Sequence, residues 1–296
     1  MILTFDIEEW FHLLDFDATR SESQWDSYEI RIYDNVERLL RILDETNSRA
    51  TFFIIGWVAQ RYPDLVRKIA ERYQIGTHTM NHQLVWQQSR EDFRNDVVSS
   101  IHLLEDITGK PVECFRAPGF SIRESELWAL DILYENGIRY DSSIFPAKGS
   151  HGGIPGGLSN LQREGYILLD FRKLQQSPEL LQQHPEHIIE FPISSHKICG
   201  KDLVFNGGGY FRLMPYPLIQ RWSKESAYLL SYIHPRDLDA TQPMLPGLPL
   251  SRRFKSYVGL KTAESKLRKY LSDFQFTDIR TAVEAILNDQ KPNHQE

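Results

Sequence analysis

The chain has 296 residues, of which 41% are hydrophobic and 25% charged, with a formal net charge of −6. That length suits one large α/β domain or two modest ones, while the acidic balance argues against nucleic acid as a partner and fits poorly with docking on an anionic membrane. No run of 18 apolar residues and no basic segment ahead of a hydrophobic stretch is present, and two cysteines, Cys114 and Cys199, make no disulfide framework; a soluble, cytoplasmic protein without stable membrane insertion is expected.

In chain order, MILTFDI (1–7) reads as a buried strand, and Val36, Leu39, Leu40 and Leu43 then repeat at helical spacing. ATFFII (50–55) is a β-branched and aromatic strand ending at Gly56. Pro63 opens a helix with Leu65, Ile69 and Tyr73 on one face, and QIGTH (74–78) is a short strand. Ser89 with Asp92 caps a helix carrying Phe93, Val97, Ile101 and Leu104. CFRAPG (114–119) is strand-like, Ser121 with Glu124 predicts a capping box ahead of a helix through Tyr134, and IRYDSSI (138–144) is another strand. This alternation predicts a parallel sheet rolled into a closed or nearly closed barrel. Residues 145–227, punctuated by glycine and proline between short strands such as YILLDF and IIEFPI, read as an insertion on the barrel's rim. A helix after Pro217 leads into a last core strand, YLLSYIHP (228–235). A helix over about 262–272 and the segment TAVEAIL complete one domain, residues 1–285, with its core in 1–145 and 228–285. The tail, 286–296, is expected to be disordered.

The segment LTFDIEEWFH (3–12) ends a core strand in three carboxylates, and such a cluster needs a neutralising partner. In a parallel barrel the chemistry belongs at the C-terminal ends of strands, and four such ends carry polar residues: Asp6 with Glu8, His78, Arg116 and His234. The H-x-x-x-H spacing of His78 and His82 reads as a helix-surface or capping pair, or as two metal ligands facing a carboxylate-bearing strand. Two imidazoles and one carboxylate leave coordination positions open, and a divalent cation would account for the acids. The strand period places Asp6 and Glu8 on one face and Glu9 on the other, as a surface acid or a partner behind the ligands. His12, His151, His184, His187 and His196 read as solvent-facing, and Cys114 as a small buried apolar residue. Tyr210, Phe211 and Arg212 follow three glycines, which suit a binding loop or a tight turn equally. Six Trp, 13 Tyr and 16 Phe could stack on sugar rings, but ordinary core packing uses the same residues.

Taken in order, TFDIEEWFH, ATFFIIGWVA, HTMNH, FRAPGFSI, YDSSIFP and YIHP resemble the motifs of the polysaccharide deacetylases of the NodB-homology class, carbohydrate esterase family 4. The branch found in exopolysaccharide gene clusters, which also carries GGGYFR and a C-terminal DF.F element, is the most similar, and the resemblance spans about residues 1–285. It implies a distorted (β/α) barrel of the NodB type and an enzyme that removes N-acetyl groups from an N-acetylated sugar in a polysaccharide or its precursor. It also implies a divalent metal, with zinc the expected ion. By resemblance, Asp6 is the catalytic base, Arg116 holds it, and His234 is the general acid. His78 and His82 are metal ligands, and a backbone N–H near Gly119 stabilises the oxyanion. Many relatives have a second aspartate where this chain has Ile7, so Glu8 takes over ligation. Asp141, in YDSS, is a candidate to orient His234, or else a strand-end turn residue. Gly119, Phe120, Tyr210, Phe211 and Arg212 are the candidate substrate contacts. Two rivals stand beside this reading, a small-molecule amide hydrolase of the allantoinase type and a non-catalytic glycan-binding protein. Retention of all of Asp6, His78, His82, Arg116 and His234 argues against the second. The sequence leaves the oligomeric state open.

Overall fold

The computed structural model describes residues 1–13, 16–19, 21–147, 149 and 151–289. The chain enters through β1 (Ile2–Ile7), buried along its whole length. Helix α1 (Ile32–Thr46) buries Val36, Leu39, Leu40 and Leu43 as their spacing requires, and stops at Asn47 in the left-handed region. β2 (Thr51–Ile54), the Pro63-initiated α2 (Pro63–Ala70) and β3 (Gln74–Thr77) follow. The Ser89 hydroxyl accepts the Asp92 N–H to start α3 (Arg90–Thr108), which leads to β4 (Cys114–Phe115). Ser121 caps no helix. Its hydroxyl accepts the Val85 N–H instead, and only a 3-10 turn (Glu124–Glu126) precedes α4 (Trp128–Glu135). β5 (Tyr140–Asp141) is shorter than the sequence suggests, because Ser142 and Ser143 turn away to bond other partners.

Residues 145–227 do more than decorate a rim. They supply β6 (Leu161–Gln162), β7 (Ile167–Asp170) and β8 (His187–Glu190) to the main sheet, and a separate hairpin of β9 (His196–Ile198) and β10 (Lys201–Leu203). Two helices, α5 (Gly208–Leu213) and α6 (Tyr216–Glu225), then lead to β11 (Leu230–Ile233). The chain ends in α7 (Leu250–Tyr257), α8 (Leu260–Asp273) and α9 (Ile279–Asp289). Residues 286–289, expected in a disordered tail, therefore continue a helix, while 290–296 lie outside the described residues.

The sheet order is β11-β1-β2-β3-β4-β5-β8-β7-β6, parallel throughout except for the antiparallel β6–β7 pair. The barrel stays open: among the described residues no ladder joins β11 to β6. Alternation along the strands separates two cores. Leu3, Phe5, Ile7, Phe52 and Ile54 pack with Val36, Leu39, Phe93 and Val97 of the flanking helices. Ile2, Phe53, Cys114, Ile189, Phe191, Leu230 and Tyr232 form a second cluster, closed by Ile279 and Val283 of α9. Asp6 shares its face of β1 with Ile2 and Thr4, so its carboxylate belongs to the second, enclosed side. Among the described residues no helix is long and apolar enough to cross a membrane.

Candidate active site

Four parallel strands, β11, β1, β3 and β4, deliver their C-terminal ends to one place. Asp6 lies on β1 and Glu8 one residue past its end, and both are buried. His78 follows β3 directly, its N–H held by the Ile54 carbonyl. The HTMNH segment is a loop rather than a helix. Thr79 and His82 both adopt left-handed backbone angles (φ 66° and 53°), and the Thr79 hydroxyl accepts the His82 N–H. Asp96, on α3, accepts the N–H groups of Met80 and Asn81 and so fixes the loop from behind. That strain is held by the surrounding bonds, and it turns the second imidazole back toward the first, with ring centroids 5.1 Å apart.

Ligand atoms of Glu8, His78 and His82 all lie within 4.8 Å of one another. The His78 Nδ1–H donates to the Arg116 carbonyl at 2.7 Å, which leaves Nε2 with a free lone pair aimed into the cluster. Glu8 Oε2 is buried and, among the described residues, accepts no hydrogen bond, although His82 Nε2 is 2.7 Å away. Two imidazoles and a carboxylate whose ligand atoms converge in this way form a donor set that fits a divalent metal. The electrostatics agree. Burial opposes charge on Glu8, but the imidazoles of His82, His234 and His78 override it and hold the carboxyl down to about 2. Burial pushes His78 down to about 4, which keeps it neutral as a ligand must be.

Arg116 is completely buried under the Asp6 carboxylate. One guanidinium nitrogen donates to Asp6 Oδ1 at 2.6 Å and to the Thr4 hydroxyl at 2.8 Å. The other nitrogens donate to the Ser142 carbonyl and hydroxyl, and the plane lies 4.2 Å from the Phe53 ring centroid. The guanidinium is thus fixed by Ser142 and Thr4 while one nitrogen holds Asp6, whose Oδ2 faces His234 Nε2 at 3.7 Å.

His234, at the end of β11, is held by Asp237 and not by Asp141. Asp237 Oδ2 accepts the His234 backbone N–H at 2.9 Å and Nδ1–H at 3.0 Å, while Oδ1 faces Arg212 Nε at 2.8 Å. His234 Nε2 is left pointing at Glu8 Oε1, 3.3 Å away. Burial works against protonation here, yet the carboxylates of Glu8, Asp237 and Asp6 raise His234 to about 9. Asp141 is engaged elsewhere: its Oδ1 accepts the Ser143 hydroxyl, and its carboxyl meets Glu190 on the neighbouring strand.

The remaining candidates divide. Phe211 is a core residue packed on Tyr270, and Arg212 is buried, donating to the carbonyls of Ser256, Val258 and Lys255 as well as facing Asp237; neither forms an open binding loop. Only Tyr210 of that trio is exposed. The glycines before it serve close packing, since a Cβ on Gly207 would come within 2.1 Å of the Tyr232 ring. Gly119 takes a left-handed φ of 59°, and the Phe120 ring sits 4.9 Å from that of Tyr232, beside the site. Glu9 is buried rather than superficial: Oε1 accepts the N–H groups of Arg31 and Ile32, both at 2.7 Å, at the start of α1. His12 is buried against Trp25 and Trp57, and not solvent-facing.

Residues 14–139 match the family described as polysaccharide deacetylase, and residues 142–284 match a domain of unknown function, DUF3473. His78, His82 and Arg116 fall in the first segment and His234 and Asp237 in the second; β1, with Asp6 and Glu8, precedes both. A peptidoglycan-N-acetylglucosamine deacetylase of Bacillus cereus is 31% identical over 96 residues, 32% of this chain and 35% of the relative. A chitooligosaccharide deacetylase of Azorhizobium caulinodans is 37% identical over 79 residues, 26% of this chain and 38% of the relative. The chain thus spans little more than a third of the length of these two curated relatives. A solved structure from Mycobacterium smegmatis, provisionally named a polysaccharide deacetylase, shares the fold with a TM-score of 0.55 at 19% identity, covering 98% of this chain and 90% of that one.

Proposed function

We propose, from the match of residues 14–139 to the polysaccharide deacetylase family, that this chain is a metal-dependent hydrolase removing N-acetyl groups from an N-acetylated sugar in a polysaccharide or its precursor. The observation that carries this reading is the buried, hydrogen-bond-free Glu8 oxygen set among His78, His82 and a His234 aimed at the same point. Glu8, His78 and His82 would hold the cation, with zinc the ion best suited to two imidazoles and a carboxylate. Bound there, it would polarise the amide carbonyl and acidify a water. The protein's own groups do the rest. Asp6, oriented by the charge-assisted hydrogen bond from Arg116, takes the proton of the attacking water. The Gly119 backbone N–H is the proposed donor to the tetrahedral oxyanion. His234, protonated and held by Asp237, hands its proton from Nε2 to the departing sugar amine, which is otherwise a poor leaving group.

The test pairs elemental analysis of purified protein with acetate release from chitooligosaccharides. About one equivalent of divalent metal and measurable acetate are expected, both lost in His78→Ala. Metal-free protein whose activity is unchanged by His78→Ala would dismiss the site.

A further inference from the structure

Helix α7 wears its apolar face outward. Leu250 is 82% exposed and Phe254, one turn on, 58%, while the residue of this helix that is buried is Ser256. An ordinary surface helix shows the reverse pattern, with its apolar stripe against the core. At 100° per residue Leu250 and Phe254 form one ridge, with Arg253 on one flank and Lys255 on the other. Among the described residues neither of these two cations has an ionic partner. Exposed Met244 precedes the helix, and Leu213 of the packed α5 is exposed as well. Residues 240–263 hold four basic side chains, Arg252, Arg253, Lys255 and Lys261, and no acid, in a chain whose net charge is −6.

We propose that α7 docks this protein onto an anionic lipid bilayer, Leu250 and Phe254 entering the headgroup boundary and Arg253 and Lys255 pairing with lipid phosphates. An outward apolar ridge between two basic flanks is what an interfacial helix needs, because apolar burial and charge attraction then act at the same depth. A second copy of this chain fits less well, since a two-fold contact through this ridge would set the same cations against each other. The acidic remainder of the surface repels an anionic membrane and so selects this orientation. Whole-chain charge, which speaks against membrane docking, averages over the local patch. The surface is close to the site: the Lys255 carbonyl accepts a hydrogen bond from Arg212, which also faces Asp237, the residue that holds His234. A glycan carried on a lipid would therefore meet the proposed catalytic groups next to the membrane plane.

The test is co-sedimentation of the full chain with vesicles of phosphatidylcholine alone and with about 30% phosphatidylglycerol, the latter repeated at about 0.5 M salt. Binding is expected only with phosphatidylglycerol and should fall with salt. Leu250→Ser/Phe254→Ser should weaken it on the order of tenfold or more, and Arg253→Gln and Lys255→Gln about fivefold each. Acetate release from a soluble chitooligosaccharide by Leu250→Ser/Phe254→Ser should match the wild type, which separates loss of docking from failure of the catalytic reading. Undiminished vesicle binding by the variants, no binding by the wild type, or a dimer in sedimentation velocity that Leu250→Ser/Phe254→Ser dissolves would each overturn the proposal.

Discussion

Asp6 and Glu8 point the same way from neighbouring positions, yet their surroundings divide the work between them. Asp6 is gripped by a guanidinium through Oδ1 and leaves Oδ2 facing His234, as the proposed base would need; Glu8 has two imidazoles beside it and an oxygen without a hydrogen bond among the described residues. Asp6→Asn should therefore lower turnover by at least about 10²–10⁴ while metal content stays near one equivalent. Metal loss as complete as in His82→Ala would place Asp6 among the ligands. His234→Ala should cost a similar factor on the amide, and the defect should shrink on a nitrophenyl acetate ester, whose leaving group needs no proton. Asp237 supplies part of the negative field that raises His234, so Asp237→Asn should move the alkaline limb of kcat/KM to lower pH. An unmoved limb would mean that Asp237 holds the ring without tuning it. At this scale the meeting of Asp6, Glu8, His78, Arg116 and His234 was legible from strand-end position and residue type, and that of His82 from the H-x-x-x-H spacing; their roles rested on the resemblance and remain proposals. Asp237 was missed in favour of Asp141. The available signal was local: an acid three residues beyond a strand-end histidine, across a proline, can cap the histidine's own N–H and its ring together.

Between elements, the ties that position the site are made by charged groups at helix starts. Arg31, at the mouth of α1, pairs in two-pronged fashion with Asp239, which follows the His234 turn, with contacts of 2.5 and 3.1 Å. Burial opposes ionisation of Asp239, but Arg31, Thr241 and Asn35 hold it down to about 2. A depressed carboxyl adds stability above its unfolded pKa near 4 and loses it as pH falls through about 2. Asp239→Asn should cost about 2 kcal/mol in urea unfolding at pH 7, and the gap from wild type should close between pH 4 and 2. A gap constant with pH would show that packing rather than charge is lost. Element type was readable where periodicity was strong, as in α1 and α3. It failed at Ser121 and in IRYDSSI, where side-chain oxygens that look like caps or strand residues serve distant partners, Val85 N–H and Arg116. Three consecutive glycines were equally opaque, since only the ring of Tyr232 against Gly207 reveals why they are needed.

Across the whole molecule, the gap between the two matched segments falls on β5, whose Asp141 stands opposite Glu190 of β8, both buried. Two carboxyls in one dry space share a proton rather than both ionise, and burial with the Asp141 charge raises Glu190 well above its usual value. A raised acid stabilises fully below its unfolded pKa and loses that contribution as pH climbs through the folded one. Glu190→Gln, which can still accept the Ile144 N–H, should therefore gain stability relative to wild type as pH rises from about 5 to 8. Parallel stability curves would show that no proton is shared. The parallel α/β plan was legible from alternation alone, whereas the open edge was not, because closure depends on β6, β7 and β8, whose short runs resemble loops. One consequence of that plan concerns synthesis. The proposed base stands at position 6 and the proposed acid at 234, on strands that lie side by side. A ribosome adding about 5–20 residues per second needs on the order of ten to fifty seconds to travel from one to the other. Through that interval β1 has no β11 to pair with, so the proposed acid is missing from beside the proposed base, and β1 is the strand a chaperone would have most reason to shield.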